Sequence, residues 1–183
     1  MNELDLILES KFGIKRRLVE VEDASFILSL RLDAKLGRFL SKTEEDIVRQ
    51  EEWIREYKQR EADHTEFYYI FENNEHQKYG VYRIYNFDIT SYEAGSWLFI
   101  EKSPNGLSIL ADLCVRDIAF TKYSFEYCRF EVRKENKAVV RYHQKFQPKL
   151  IGEDSLNYYY MLSKDNYFSF RNQLLKIYGN GTN

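Results

Sequence analysis

Two short segments hold side chains able to bind an anion or move a proton. The first, Ser103-Pro104-Asn105-Gly106-Leu107-Ser108, follows the apolar run Trp97-Leu98-Phe99-Ile100 and leads into a helical pattern. A turn that opens a helix presents N–H groups without intrahelical partners at the positive end of the helix dipole, which suits a phosphate. Gly106 lets backbone approach such a ligand closely, and Asn105 and Ser108 add donors. Ser-Pro is equally a common helix start, with serine as cap and proline in the first helical position. The second segment centres on Tyr142-His143. An imidazole changes charge near neutrality, so His143 is equipped to give or take a proton at physiological pH. Val139, His143 and Phe146 share one helical face, so the spacing equally fits a histidine packed in the core. Tyr142 projects about 100° away, on the side of Ala138 and Lys145, and its hydroxyl is the competing acid.

These residues need a frame, and the patterning predicts one. Arg16 to Val21 alternates charged and apolar residues and reads as a first strand, after a short helical stretch within Met1 to Phe12. Asp23 is placed to cap a helix carrying Phe26, Ile27, Leu30 and Ala34 on one face. A second helix is expected from Thr43, with Ile47, Trp53, Ile54 and Tyr57 inward. Glu66 to Glu72 and Lys78 to Phe87 are aromatic and β-branched runs separated by Asn73-Asn74, a hairpin signal. Tyr92 to Glu101 holds another strand, followed by a helix to about Tyr123 with Leu107, Leu110, Cys114 and Ile118 inward. In Tyr127 to Arg133, Cys128, Phe130 and Val132 alternate with Arg129, Glu131 and Arg133. Asn136 to Phe146 reads as a helix ended by Pro148, Leu156 to Leu162 as a strand, and Phe168 to Ile177 as a closing strand or helix. Strands joined through helices after an antiparallel meander predict a mixed α/β (α+β) sheet with helices on both faces.

Composition narrows the function. The 183 residues suit one domain spanning 1–183, and two prolines and eight glycines leave no linker-like stretch. A net charge of −2 argues against nucleic-acid binding, which needs a concentrated basic surface. The amino-terminal twelve residues mix Glu3, Asp5, Glu9 and Lys11 with leucines, so neither a signal peptide nor a membrane span is expected. Three scattered histidines and two cysteines without paired spacing predict no metal site, and free thiols at Cys114 and Cys128 fit a cytoplasmic location. Fifteen tyrosines fit a packed sheet and a lined cleft.

From about Arg16 to Leu162 the order of elements resembles the GNAT acetyltransferase superfamily. Ile27-Leu28-Ser29-Leu30-Arg31 followed by Gln50-Glu51-Glu52-Trp53-Ile54 is similar to the branch containing ribosomal-protein N-terminal and sugar-nucleotide N-acetyltransferases. Phe130 to Phe146 resembles the family's strand-helix signature V…N-x-x-A-x-x-x-Y-x-K-x-G-F, with Val132, Asn136, Val139 and Lys145 in register. His143 stands at the tyrosine position, Gln147-Pro148 replaces Gly-Phe, and the phosphate loop keeps a single glycine.

The resemblance implies an acetyl-CoA-dependent N-acetyltransferase in which a primary amine attacks the thioester directly. Acetyl-CoA would be a co-substrate, with its pyrophosphate at Asn105, Gly106, Leu107 and Ser108. Its pantetheine arm would lie along Leu98, Phe99 and Ile100, where that strand diverges from the strand of Phe130, and Asn136 would also contact the cofactor. His143, or Tyr142 in its place, would protonate the departing thiolate. Glu93 is the general base expected from position, with Asp88 and Glu101 as alternatives. The first two helices and the Phe87–Glu93 connection would choose the acceptor. An amino-sugar nucleotide is the first expectation, met by Tyr68, Tyr82, Tyr85 and Tyr92, and a protein N-terminus the second. The shortened glycine loop favours the rival reading, a non-catalytic acyl-CoA-binding module. The Tyr158-Tyr159-Tyr160 run suggests a homodimer contact.

Overall fold

The structure is a computed structural model and describes residues 2–179. In chain order the elements are α1 (Glu3–Phe12), β1 (Ile14–Leu18), α2 (Ala24–Leu32), α3 (Ile47–Ala62), β2 (Phe67–Asn73), β3 (Lys78–Tyr85) and β4 (Ser91–Phe99). Then come α4 (Leu107–Asp117), β5 (Tyr127–Arg133), α5 (Lys137–Gln144), β6 (Lys149–Glu153), β7 (Asn157–Ser163) and α6 (Lys164–Tyr178). Seven strands form one sheet in the order β1-β2-β3-β4-β5-β7-β6. Every neighbouring pair is antiparallel except β4 and β5, which run parallel.

That parallel pair sets the shape of the centre. β4 and β5 pair only from Ser91 opposite Tyr127 to Glu93 opposite Arg129, although β4 continues to Phe99 and β5 to Arg133. Beyond Glu93 the two strands part. On the other edge of β4 the register runs from Val81 opposite Leu98 to Arg83 opposite Gly95, so Ser96 and Trp97 together oppose Tyr82. Ser96 sits in the left-handed region at φ 48°, as an irregularity that bends a strand and re-aims its side chains requires.

The two sheet faces carry different helices. On one, Ile27 and Leu30 of α2 and Ile54 and Tyr57 of α3 pack with Tyr68, Ile70, Val81 and Leu98. On the other, α1, α4, α5 and α6 cover Tyr69, Phe71, Tyr82, Ile84, Cys128, Phe130 and Val132. Nine of the eleven residues of α4 are buried, so it lacks the one-sided pattern of a surface helix.

Several helix starts differ from the sequence expectation. Asp23 does not cap α2, because its carboxylate is taken by Arg17 and Lys78. α3 opens at Ile47 with Asp46 accepting from the Arg49 N–H, while the Thr43 hydroxyl is held by Arg31. β6 was not foreseen. It is an outer-edge strand whose five residues are all exposed, so no buried face marks it in the sequence. The carboxy-terminal element is a helix capped by Ser163, and it leans Tyr167 and Leu174 onto the core. Within the tyrosine run Tyr160 is buried against Phe130, while Tyr158 on its face and Tyr159 on the other are half-buried.

Candidate functional site

The divergence of β4 and β5 opens the sheet, and one feature stands on each side of it. On the α2/α3 side lies a cleft of about 630 Å³. Its floor is Ala94, Gly95 and Ser96 of β4 with Glu131 and Arg133 of β5. Its walls come from Arg31, from Trp53 and Arg49 of α3, and from residues 39–44 between α2 and α3. Alternation along β5 decides the floor's chemistry. Cys128, Phe130 and Val132 turn to the apolar core, which leaves the charged set of that strand on the opposite face.

Five cationic side chains (Arg31, Lys42, Arg49, Arg83 and Arg133) line the cleft, against the carboxylates of Glu44, Asp46 and Glu131. Arg83 is engaged by Glu66, and Arg49 pairs with Glu44. Tyr68 and Tyr85 line the cleft as expected, but Tyr82 and Tyr92 do not, because their rings are buried on the opposite sheet face. The Phe87–Glu93 connection does not line it either, and the α2–α3 connection takes that place.

Of the expected bases, Glu93 lies at the last paired position before the strands part, where both oxygens are occupied. They accept from the Tyr85 hydroxyl at 2.9 Å and the Asn86 amide at 2.9 Å. Glu101 pairs with Lys35 on the exposed surface, and Asp88 accepts from the Ile89 N–H. Glu131, which sequence reasoning treated only as an outward strand position, lines the cleft.

On the opposite face stand the expected phosphate turn and the Tyr142-His143 pair. Gly106 is the N-cap of α4 at φ 85°, a conformation that excludes side chains without strain, and no side chain caps this end. An added Cβ at Gly106 would also lie 2.8 Å from the ring of Tyr178 at the end of α6. Ser103 and Pro104 therefore do not start the helix, and the Ser103 hydroxyl reaches the Tyr79 carbonyl instead. The uncapped N–H groups and the close backbone fit a pyrophosphate. Asn105 is exposed, Leu107 is buried and Ser108 is half-buried. Leu98 and Phe99 pair with β3 on one edge, beyond the last β5 partner on the other, and the Ile100 N–H bonds the Tyr79 carbonyl. Asn136 is the N-cap of α5, accepting from the Val139 N–H.

The imidazole of His143 meets both parting strands, with ring centres 5.8 Å from Trp97 of β4 and 4.4 Å from Phe130 of β5. It is 5% exposed, and its Nδ1 is enclosed without a partner. Burial lowers its pKa to about 3, the Arg116 guanidinium adds to the effect, and Asp112 offsets it only in part. The expected titration near neutrality is thereby overturned: His143 is uncharged at physiological pH. Tyr142 is not on the open side of its helix but fully engaged beneath it, donating its hydroxyl to Asp112 at 2.6 Å.

Asp112 is the hub of this region, and the sequence did not single it out. It also accepts from the Tyr82 hydroxyl at 2.7 Å and from Arg116 Nε at 2.8 Å, with no exposure of either ion. Burial works to raise the Asp112 pKa, and Arg116, His143, Tyr142 and Tyr82 more than reverse it. Burial, then Asp112, pushes the Tyr142 hydroxyl well above its ordinary range.

The histidine gives a measurable consequence. Its folded pKa is depressed below the ordinary 6.5, so the folded state resists a proton that the unfolded chain accepts. The stability it contributes is present above pH 6.5 and is lost as pH falls toward 3. The melting temperature of His143→Gln is expected to drop less than that of the native protein between pH 7 and pH 4. Equal drops would assign the acid sensitivity to other groups.

Among the described residues no helix is long and apolar enough to cross a membrane, and no cluster of three or more potential metal ligands occurs. Both cysteines are buried and free.

Comparison with known proteins bears directly on this arrangement. Residues 16–147 match the family model described as acetyltransferase (GNAT) domain. No curated protein gives a significant match. Among solved structures, apo FdhC, a nucleotide-linked sugar GNAT, is 35% identical, covers 91% of this chain and 95% of its own, and superposes with a TM-score of 0.79. Spermidine N-acetyltransferase from Vibrio cholerae, in complex with CoA and spermine, is 16% identical over 85% of this chain and 98% of its own (TM-score 0.72). Ribosomal-protein-S5-alanine acetyltransferase from Vibrio fischeri is 16% identical over 84% and 94% (TM-score 0.70). At that identity the last two establish a shared fold.

Proposed function

The chain belongs to the GNAT family of acetyl-CoA-dependent acetyltransferases, and from that premise we propose that its acceptor is the primary amine of an amino-sugar nucleotide. The observation that carries this reading is the charge of the cleft: Arg49 and Arg83 are paired with Glu44 and Glu66, which leaves Arg31, Lys42 and Arg133 against the carboxylates of Asp46 and Glu131. A polyamine would meet like charge there, whereas a nucleotide diphosphate brings the opposite sign. The 35% identity to a nucleotide-linked sugar GNAT over nearly the whole chain points the same way.

In this reading the pyrophosphate of acetyl-CoA lies against the uncapped start of α4 at Gly106, and its acyl end reaches the gap between β4 and β5. The acceptor enters from the cleft face, so amine and thioester meet through the opening in the sheet. Holding both reactants in line supplies much of the rate. Glu131, on the cleft floor, is the group we assign to take the amine proton, in preference to the occupied Glu93. His143, being neutral, steadies the departing thiolate by a hydrogen bond rather than by delivering a proton from an imidazolium. The buried free thiols support action in the cytoplasm.

Release of free thiol from acetyl-CoA tests the reading. An amino-sugar nucleotide is expected to exceed spermidine and an alanine-initiated peptide by at least about tenfold in kcat/KM. Faster turnover of the polyamine or the peptide would overturn the acceptor class. No thiol release with any amine would favour a module that binds acyl-CoA without catalysis.

A further inference from the structure

Two of the cleft's guanidiniums differ from the rest in having no carboxylate. Arg31, in the last turn of α2, donates from Nε to the Thr43 hydroxyl at 2.7 Å and from Nη2 to the Ser41 hydroxyl at 3.2 Å. Arg133, at the end of β5, donates from Nε to the Phe39 carbonyl at 3.4 Å. Among the described residues neither meets an acidic partner, although Arg49 and Arg83 in the same cleft do. Both are half-buried, Arg31 in the wall and Arg133 on the floor of the cavity, and both hold one five-residue segment, 39–43.

A half-buried guanidinium carries five donors in a fixed fork, and neutral hydroxyls and a carbonyl satisfy it less well than an anion does. We propose that Arg31 and Arg133 form the subsite for the diphosphate of the acceptor, an inference that rests on the amino-sugar nucleotide reading above. The diphosphate replaces Ser41, Thr43 and the Phe39 carbonyl as the arginines' partner. Segment 39–43 is then released to settle over the bound nucleotide, so acceptor binding and the position of the α2–α3 connection are coupled.

CoA carries a pyrophosphate too, and the two sources of this chemistry are separable. The α4 start lies on the opposite sheet face from α2 and α3, and no residue of Ser103–Ser108 lines the cleft. Equilibrium titration of the full chain with uridine diphosphate, thymidine diphosphate and inorganic pyrophosphate, each with and without saturating CoA, provides the test. The native protein is expected to bind a nucleoside diphosphate equally well in both conditions. Arg31→Gln and Arg133→Gln should each weaken that binding by about 10- to 100-fold, the loss of a charge-assisted contact, with CoA affinity unchanged. Lys15→Gln, on the far edge strand, serves as the control for net charge and should bind like the native protein. The KM for an amino-sugar nucleotide should rise in parallel while kcat holds.

Displacement of the nucleoside diphosphate by CoA would overturn the subsite, as would native affinity in both arginine variants. The two positions lie on different elements, so misfolding of one variant, read by its melting curve, leaves the other to decide. Failure of the function itself has a different signature. Diphosphate binding that depends on the arginines, without turnover of any amino-sugar nucleotide, would retain the subsite and reject the acceptor. Turnover with unchanged KM in both variants would retain the acceptor and reject the subsite.

Discussion

Replacement of Asp112 by alanine is expected to destabilise the protein by about 3–5 kcal/mol, the cost of stranding a buried charge. Domains of this kind are stable by roughly 5–15 kcal/mol, so such a loss removes much of the margin. Asp112 is the acceptor for Tyr82, Tyr142 and Arg116, and the Arg116 side chain is completely enclosed. Without the carboxylate, Arg116 keeps the Cys128 sulfur at 3.2 Å and the faces of Phe130 and Phe146, and its Nη2 already lacks a partner. Tyr142→Phe removes the hydrogen bond to Oδ2, since Tyr82 and Arg116 both meet Oδ1, and should cost about 1–3 kcal/mol, the penalty of a stranded buried acceptor. The double replacement Asp112→Leu with Arg116→Met should recover most of the loss, because removing both ions removes the desolvation penalty. Urea unfolding of the four proteins reads these differences directly. A midpoint for Asp112→Ala close to that of the native protein would show that water reaches the network and that its ions are not the hub.

The second large effect concerns turnover. Glu131→Gln is expected to lower kcat by roughly 10²–10⁴-fold, the usual worth of a positioned base. CoA affinity and melting temperature should hold, because Glu131 is an exposed residue on the cleft floor, away from the α4 face. Glu93→Gln serves as the comparison. Its carboxylate is bound by Tyr85 and Asn86, so substitution should disturb the strand end more than the proton transfer. An inactive Glu93→Gln beside a fully active Glu131→Gln would move the base to Glu93.

The elements legible in the sequence were those whose cause is local. Tyr127–Arg133 alternates every second residue and is a strand over those residues. The two aromatic runs around Asn73-Asn74 pair as a hairpin, and the helix expected from Asn136 begins there, with Asn136 as its cap. One further signal stands in the sequence of β5. Arg129, Glu131 and Arg133 are charged side chains on a strand with neighbours on both edges, so their face had to meet a cleft rather than a packed helix.

What the sequence left open depends on contacts between distant segments. Asp112 and Arg116 stand four residues apart on α4, and they become a buried hub because Tyr82, thirty residues earlier, and Tyr142, thirty residues later, close on them. His143 carries the same imidazole in any context, but its enclosure by Trp97, Phe130 and Tyr142, with Arg116 nearby, moves its pKa to about 3. The cleft takes its cations from α2, the α2–α3 connection, α3, β3 and β5, segments that share no local pattern. Periodicity specifies which face of an element is apolar. Solvation, charge partners and the opening between β4 and β5 are set by which elements the folded chain brings together, and those fix the chemistry of the site.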